Sequence, residues 1–206
     1  MVSRTKDEIE KTKSEIINQG GKAIAVTADL AKKEEVEKIV REALNNFQRI
    51  DILVNNAAVL FSSPFMEISE DRWDITMNVN LKAVFLLSQK VLKIMQKQKT
   101  GYIVNISSAA ALNVPPSIAA YGVSKIGLAG LSQAMYEVGK EFGVKVSVIY
   151  LGMTDTEMLR NFNPPVDPEK WMQPEDITDC VLFLLKQSNR VIVKELTPWA
   201  VQYDKI

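Results

Sequence analysis

Short, nearly continuous apolar runs alternate with longer amphipathic stretches along this 206-residue chain, and that alternation narrows the fold more than any other feature. The runs at 23–27, 51–55, 102–106, 145–150 and 191–196 have the length of strands. With so little polar alternation inside them, they are expected to be buried on both faces. Helices are expected between them. Thr5-Lys6-Asp7-Glu8 has the pattern of a capping box, opening a helix over 5–18 that Gly20-Gly21 stops. Val36, Ile39, Val40, Ala43, Leu44 and Phe47 recur at helical spacing. Ser69 reads as the N-cap of a long helix reaching Lys97, and another spans 118–142 and ends at Gly143. Pro174 sits in the first turn of a helix over 174–187. Apolar strands separated by helices predict the α/β class, a doubly wound parallel sheet. No linker, repeat or low-complexity tract interrupts it, so residues 1–206 read as a single domain. In such sheets ligands bind beyond the C-terminal strand ends, which here follow Ala28, Asn55, Ile106 and Tyr150.

Composition removes several functional classes. Lys and Arg number 25 and Asp and Glu 25, leaving no basic excess for a phosphate backbone, so nucleic acid is not an expected partner. The absence of histidine excludes a Ser-His-Asp triad, a Cys-His dyad and a His-ligated zinc. No metal site is expected. Acid–base chemistry near neutral pH falls to Tyr, Lys, Cys or a carboxylate. One cysteine, Cys180, forms no internal disulfide. With no apolar run of membrane-spanning length and no basic-then-apolar leader, the expectation is a cytoplasmic protein without a membrane partner.

Tyr121 and Lys125 stand four residues apart in the expected helix 118–142, a spacing that puts phenol and ammonium on one face. A free tyrosine ionises near pH ~10, and a neighbouring ammonium is expected to lower that value, so the pair would exchange a proton with an alcohol or carbonyl oxygen. Taken alone, Tyr-x-x-x-Lys is a weak signal. Ser107-Ser108 ends the preceding strand, where a hydroxyl would reach the same oxygen. Small residues follow Asn55 in Asn56-Ala57-Ala58, and Asn80 lies inside a helix that asparagine does not favour.

Together with Asp51 to Ala57, Asn78-Val79-Asn80-Leu81, Val104 to Ser108, Gly152 and Thr156, these residues resemble the short-chain dehydrogenase/reductase family over residues 2–197. The resemblance implies a Rossmann-like fold and an NADP-dependent oxidoreductase interconverting a carbonyl and an alcohol. Tyr121 would be the general acid or base and Ser108 the hydroxyl polarising the substrate oxygen. Lys125 would depress the tyrosine value and hold the nicotinamide ribose, and Asn80 would anchor a water in a proton relay. On the cofactor, Asp29 and Leu30 would meet the adenine and Asn56 and Ala57 would back the adenosine ribose. Thr154 and Thr156 would flank the carboxamide. Arg4 suits the 2′-phosphate of NADP, whereas an acidic residue there would suit NAD. Arg4 reads equally as a solvated side chain at a helix start, and Asp29 as an N-cap. A homo-oligomer, dimer or tetramer, is implied through the long helices.

The sequence departs from the family at three places. Ala58 replaces a usual glycine, and Leu151 a usual proline before Gly152. No glycine-rich strand-to-helix turn occurs, so the chain is expected to be an N-terminally truncated form. On the order of 30–40 residues would be missing: the first strand, the glycine-rich loop, the first helix and most of the second strand. In the strand order 3-2-1-4-5-6, this would leave strand 23–27 with no neighbour between itself and strand 51–55, a gap of about 14 Å or an unpaired edge. The alternative function is a catalytically weak or inactive scaffold acting through oligomerisation or partner binding. Leu60, Phe61, Phe65, Met158 and Trp171 would line a substrate pocket or simply pack, with 158–172 as a lid. The stretch Glu195 to Trp199 lacks the glycine-rich ending of many acyl-carrier reductases, which weakens that assignment.

Overall fold

The computed structural model describes residues 1–164 and 167–201. Its elements run β1 (Val2–Ser3), α1 (Lys6–Asn18), β2 (Val26–Thr27), α2 (Lys33–Phe47), β3 (Ile52–Asn55), α3 (Glu70–Met77), α4 (Ala83–Gln98), β4 (Gly101–Ile106), α5 (Ala119–Gly139), β5 (Val144–Ile149), α6 (Glu157–Phe162), α7 (Pro174–Leu185) and β6 (Glu195–Leu196). Every strand pair is parallel, but the strands form two sheets, β1-β2 and β3-β4-β5-β6.

The apolar runs become strands only where a neighbour offers backbone partners. Stretch 102–106 pairs on both sides, with β3 and with β5. Stretch 23–27 shrinks to Val26–Thr27 because its partner β1 is two residues long, and 191–196 shrinks to Glu195–Leu196 because it meets only the last two residues of β5. Val2 and Ser3 pair with Val26 and Thr27, and among the described residues no strand joins that pair to β3, as expected.

The helices follow their caps with two exceptions. Ser69 accepts the Arg72 amide as expected, and Gln173 and Asp176 cap α7 reciprocally. Thr5 makes no side-chain cap; its own amide donates to Ser3 Oγ at 3.1 Å, so the expected capping box does not form. Lys32, not Asp29, caps α2. The expected 69–97 helix is continuous but widens to a π-helical turn over Asn78–Lys82. Gly143, at φ 74°, takes the left-handed conformation that ends the α5 segment and starts β5.

Helices cover both faces of the larger sheet unevenly. On one face Val40 of α2, Val91 and Met95 of α4 and Met135 of α5 close over Ile103, Val144 and Val146. On the other, Leu184 of α7 packs on Tyr102, Val104, Ile106 and Ile149. Ile52 and Val54 lie in register with Tyr102 and Val104, on that same face, yet stay 48% and 43% exposed. The expected double covering therefore stops short of β3, which α7 does not reach.

Candidate active site

The C-terminal ends of β3, β4 and β5 open into one cavity of about 510 Å³. Strand β4 delivers Ser107 and Ser108 to its floor, and α5 brings Tyr121 and Lys125 to its wall. The first turn of α5 presses on the loop after β4. A Cβ on Gly122 would lie 2.6 Å from Val114 Cγ1 and 3.1 Å from the Ala110 carbonyl oxygen, so any larger residue would have to displace the loop.

Lys125 is 2% exposed, and its Nζ donates to the Ile106 carbonyl at 2.8 Å. Ser107 Oγ donates to the Lys125 carbonyl at 3.1 Å, tying strand end to helix. The ammonium lies 5.5 Å from the Tyr121 ring centroid. Burial pushes the Lys125 ammonium down to about 8. Burial also pushes the Tyr121 phenol above its ordinary value, and a hydrogen bond with Ser108 opposes this. That corrects the expected direction. The ammonium is engaged by the Ile106 carbonyl, and burial sets the direction of the phenol, with the Ser108 bond opposing it.

Asn80 is fully buried behind the cavity, with no outward role. Its Oδ1 accepts the Val59 amide at 2.8 Å, and its Nδ2 donates to the Val59 carbonyl at 2.9 Å and to Ser124 Oγ at 3.1 Å. Ser124 in turn donates to the Tyr121 carbonyl at 2.6 Å. Asn80 therefore clamps the loop after β3 to the helix that carries Tyr121. Sequence reading gave Ser124 no role; its place inside the Tyr121–Lys125 turn was the available signal.

Among the expected cofactor residues, Asn56, Thr154 and Thr156 line the cavity with Tyr121 and Lys125. Thr156 also caps α6 through the Leu159 amide. Arg4, Asp29, Leu30 and Ala57 do not line it. Arg4 is exposed just beyond β1. Asp29 Oδ1 accepts the Ala31 amide at 3.0 Å, and Lys32 Nζ lies 4.0 Å from the same carboxylate. Of the expected pocket residues, Leu60 and Met158 line the cavity. Phe61 lies under the Arg72 guanidinium, Phe65 is 67% exposed and Trp171 packs elsewhere, its buried Nε1 unpartnered. Ile118, Met153, Phe162 and Trp199 join the lining without having been expected. The pair Met158 and Phe162, one helical turn apart, was legible as an apolar face; Trp199 gave no signal. Within the expected lid 158–172, Pro165 and Val166 lie outside the described residues, and Thr154 bridges to Met172 at its far end. Among the described residues no three His, Cys, Asp or Glu side chains cluster as a metal site, and no helix is long and apolar enough to cross a membrane.

The sequence model of the short chain dehydrogenase family matches residues 1–167. The chain belongs to that family. This short-chain dehydrogenase is 34% identical over 176 residues to a 3-oxoacyl-[acyl-carrier-protein] reductase of Synechocystis sp. (strain ATCC 27184 / PCC 6803 / Kazusa), covering 83% of this chain and 71% of that one. It is 30% identical over 197 residues to an "uncharacterized oxidoreductase" of Staphylococcus aureus (strain MRSA252), covering 96% and 84%. Among solved structures it resembles a metagenomic short-chain oxidoreductase in complex with NADP, at 29% identity and a TM-score of 0.83 over 97% of this chain and 84% of that one. The fold is accordingly Rossmann-like α/β.

The residues of this short-chain dehydrogenase fit one half of a nicotinamide dinucleotide. Lys125 uses one of its three N–H donors on Ile106, and Asn56, Thr154 and Thr156 add polar atoms around the same cavity. They fit the nicotinamide and its ribose. For the pyrophosphate, the 206 residues contain no G-x-G-x-x-G turn, and none of the cavity-lining residues forms a glycine-rich cradle.

Proposed function

We propose that this chain is an NADP-linked oxidoreductase interconverting a ketone or aldehyde and the corresponding alcohol. One observation carries the reading: a buried phenol, a serine hydroxyl and a buried ammonium meet at a single cavity beyond the strand ends. Tyr121, held protonated at neutral pH by burial, donates to the carbonyl oxygen as negative charge develops there. Ser108 adds a second hydroxyl at that oxygen. The cofactor supplies the hydride. The carbonyl carbon accepts it, the C=O π pair moves to oxygen, and that oxygen takes the phenolic proton. Lys125 retains two N–H donors for ribose hydroxyls, and Asn80 positions the loop that faces them. Arg4, Asp29, Leu30 and Ala57 belong to the adenosine end. Arg4 and the NADP in the metagenomic relative favour NADP over NAD.

The test is NADPH oxidation in the presence of ketones by the chain and by Tyr121→Phe. Turnover that survives Tyr121→Phe unchanged overturns the proposal. With no phosphate cradle among its residues, NADPH affinity is expected to be weak, and fluorescence titration measures it.

A second reading rests on a separate observation. Phe85, Val123 and Ile126 are exposed along α4 and α5, beside a groove lined by Met77, Leu81 and Leu131. This face suits self-association into the implied dimer or tetramer, with or without catalysis, and light scattering reports it. The cytoplasm suits a chain whose single cysteine, Cys180, is free, and cell fractionation checks that location.

A further inference from the structure

The substrate side of the cavity is mostly hydrocarbon and carries no free charge, and from it we infer that the chain takes uncharged, apolar ketones and secondary alcohols rather than carboxylated or polyhydroxylated ones. The inference rests on the carbonyl–alcohol reading above and names its substrate class. Around the Tyr121 ring, Ala58, Leu60, Ala110, Ile118 and Phe162 form one apolar cluster that also lines the cavity. Met158 extends this wall with a flexible thioether that adapts to irregular shapes. Among the described lining residues, Tyr121 and Lys125 are the sole ionisable side chains, and both are committed to the carbonyl and ribose. The guanidinium on the neighbouring helix, Arg160, is held by Asp155 through two bonds of 2.6 and 2.7 Å.

A carboxylate placed against the Leu60–Ile118–Phe162 wall would lose its water without gaining a cation, and each hydroxyl of a polyol would lose a hydrogen bond. An aryl or alkyl substituent gains contact at the same wall. Beyond Ser107, Ser108, Tyr121 and Lys125, the polar lining residues are all uncharged: Asn56 just after β3, Thr154 and Thr156 in the segment between β5 and α6, and Asn113 in the loop between β4 and α5.

Binding is measured on the full chain by ligand-observed fluorine NMR, with 4′-(trifluoromethyl)acetophenone and its ring-carboxylated analogue as probes. The neutral ketone is expected to bind about tenfold or more tightly than the carboxylate. Phe162→Arg is expected to erase or reverse that preference, and Met158→Lys repeats the test on the exposed turn of α6 should the first variant fold poorly. Equal binding of the two probes, tighter binding of the carboxylate, or binding of neither overturns the inference. NADPH turnover of both probes is followed in parallel. Selective binding without turnover leaves the pocket chemistry standing and removes the proposed reaction. Equal turnover of both keeps the reaction and removes the substrate class.

Discussion

Two buried groups at the Tyr121 corner have ionisation values displaced by the same cause and in opposite directions. Desolvation penalises whichever form is charged, so the phenol rises and the ammonium falls. The consequence for stability follows from the proton balance. Lys125 has a folded value near 8 against an ordinary 10.5, so between those limits the unfolded chain binds the proton that the folded chain has lost. Lys125 should therefore add about 2 kcal/mol to the unfolding free energy between pH 8 and pH 10, while Cys180, raised from 9.0 by burial, acts in the opposite sense. From about pH 9 upward Tyr102, Tyr121 and Tyr150, all raised by burial, keep protons that the unfolded chain releases and progressively offset the rise. Urea unfolding across this range should show the difference in stability between the wild type and Lys125→Met growing in favour of the wild type by about 2 kcal/mol. Asn80 acts by a different route. Asn80→Ala leaves the Val59 amide and carbonyl without their partner and should cost about 3 kcal/mol, read as a lower urea midpoint at unchanged slope.

Local geometry at the level of elements places these side chains. The π-helical turn Asn78–Lys82 holds Asn80, which bonds both Val59 and Ser124, so the loop after β3 and the helix α5 register against one side chain. Helix α5 is set on its other side by Gly122. In Gly122→Ala the gain in helix propensity is about 1 kcal/mol. The new methyl carbon, however, would sit 2.6 Å from Val114 Cγ1, and overpacking of that kind costs roughly 1–3 kcal/mol. The clash should win. The variant is expected to melt several degrees lower, by calorimetry, and to lose activity as Tyr121 shifts with its helix.

For the molecule as a whole, the two sheets divide the burden of stability unequally. The four-stranded sheet lies between α2, α4 and α5 on one face and α7 on the other. The β1-β2 pair has two residues in each strand and packs on α1. Helix α2 belongs to the larger unit through Val40 in its core and an exposed Lys90–Glu37 pair, 3.0 Å long, that adds little. Hydrogen exchange should therefore be fastest through β1, α1 and β2 and slowest in β4 and β5. Equal protection in both regions would contradict this division. The exposed Ile52 and Val54 on β3 add a liability to association, and Val54→Lys should raise solubility with little effect on the melting temperature.

Periodicity and spacing were enough to define the α/β class, the parallel strands at 51–55, 102–106 and 145–150 and the Tyr121–Lys125 pairing, because each rests on local rules. An apolar run of strand length, or two residues one helical turn apart, carries its consequence in the sequence itself. Position at a strand end also pointed to Ser107-Ser108; the resemblance chose Ser108 and added the roles of Asn56, Thr154 and Thr156, all of which line the same cavity. What depended on distant neighbours was not legible. Strand 23–27 shortened because its partner is two residues long, and strand 191–196 because it meets only the end of β5; the separation of 23–27 from 51–55, by contrast, was already expected from the resemblance. The upward displacement of the phenol, the Val59 clamp and the entry of Phe162 and Trp199 into the cavity also had to wait for the fold. Burial and contact are properties of the packed chain, set by residues tens of positions apart, and spacing along the sequence does not encode them.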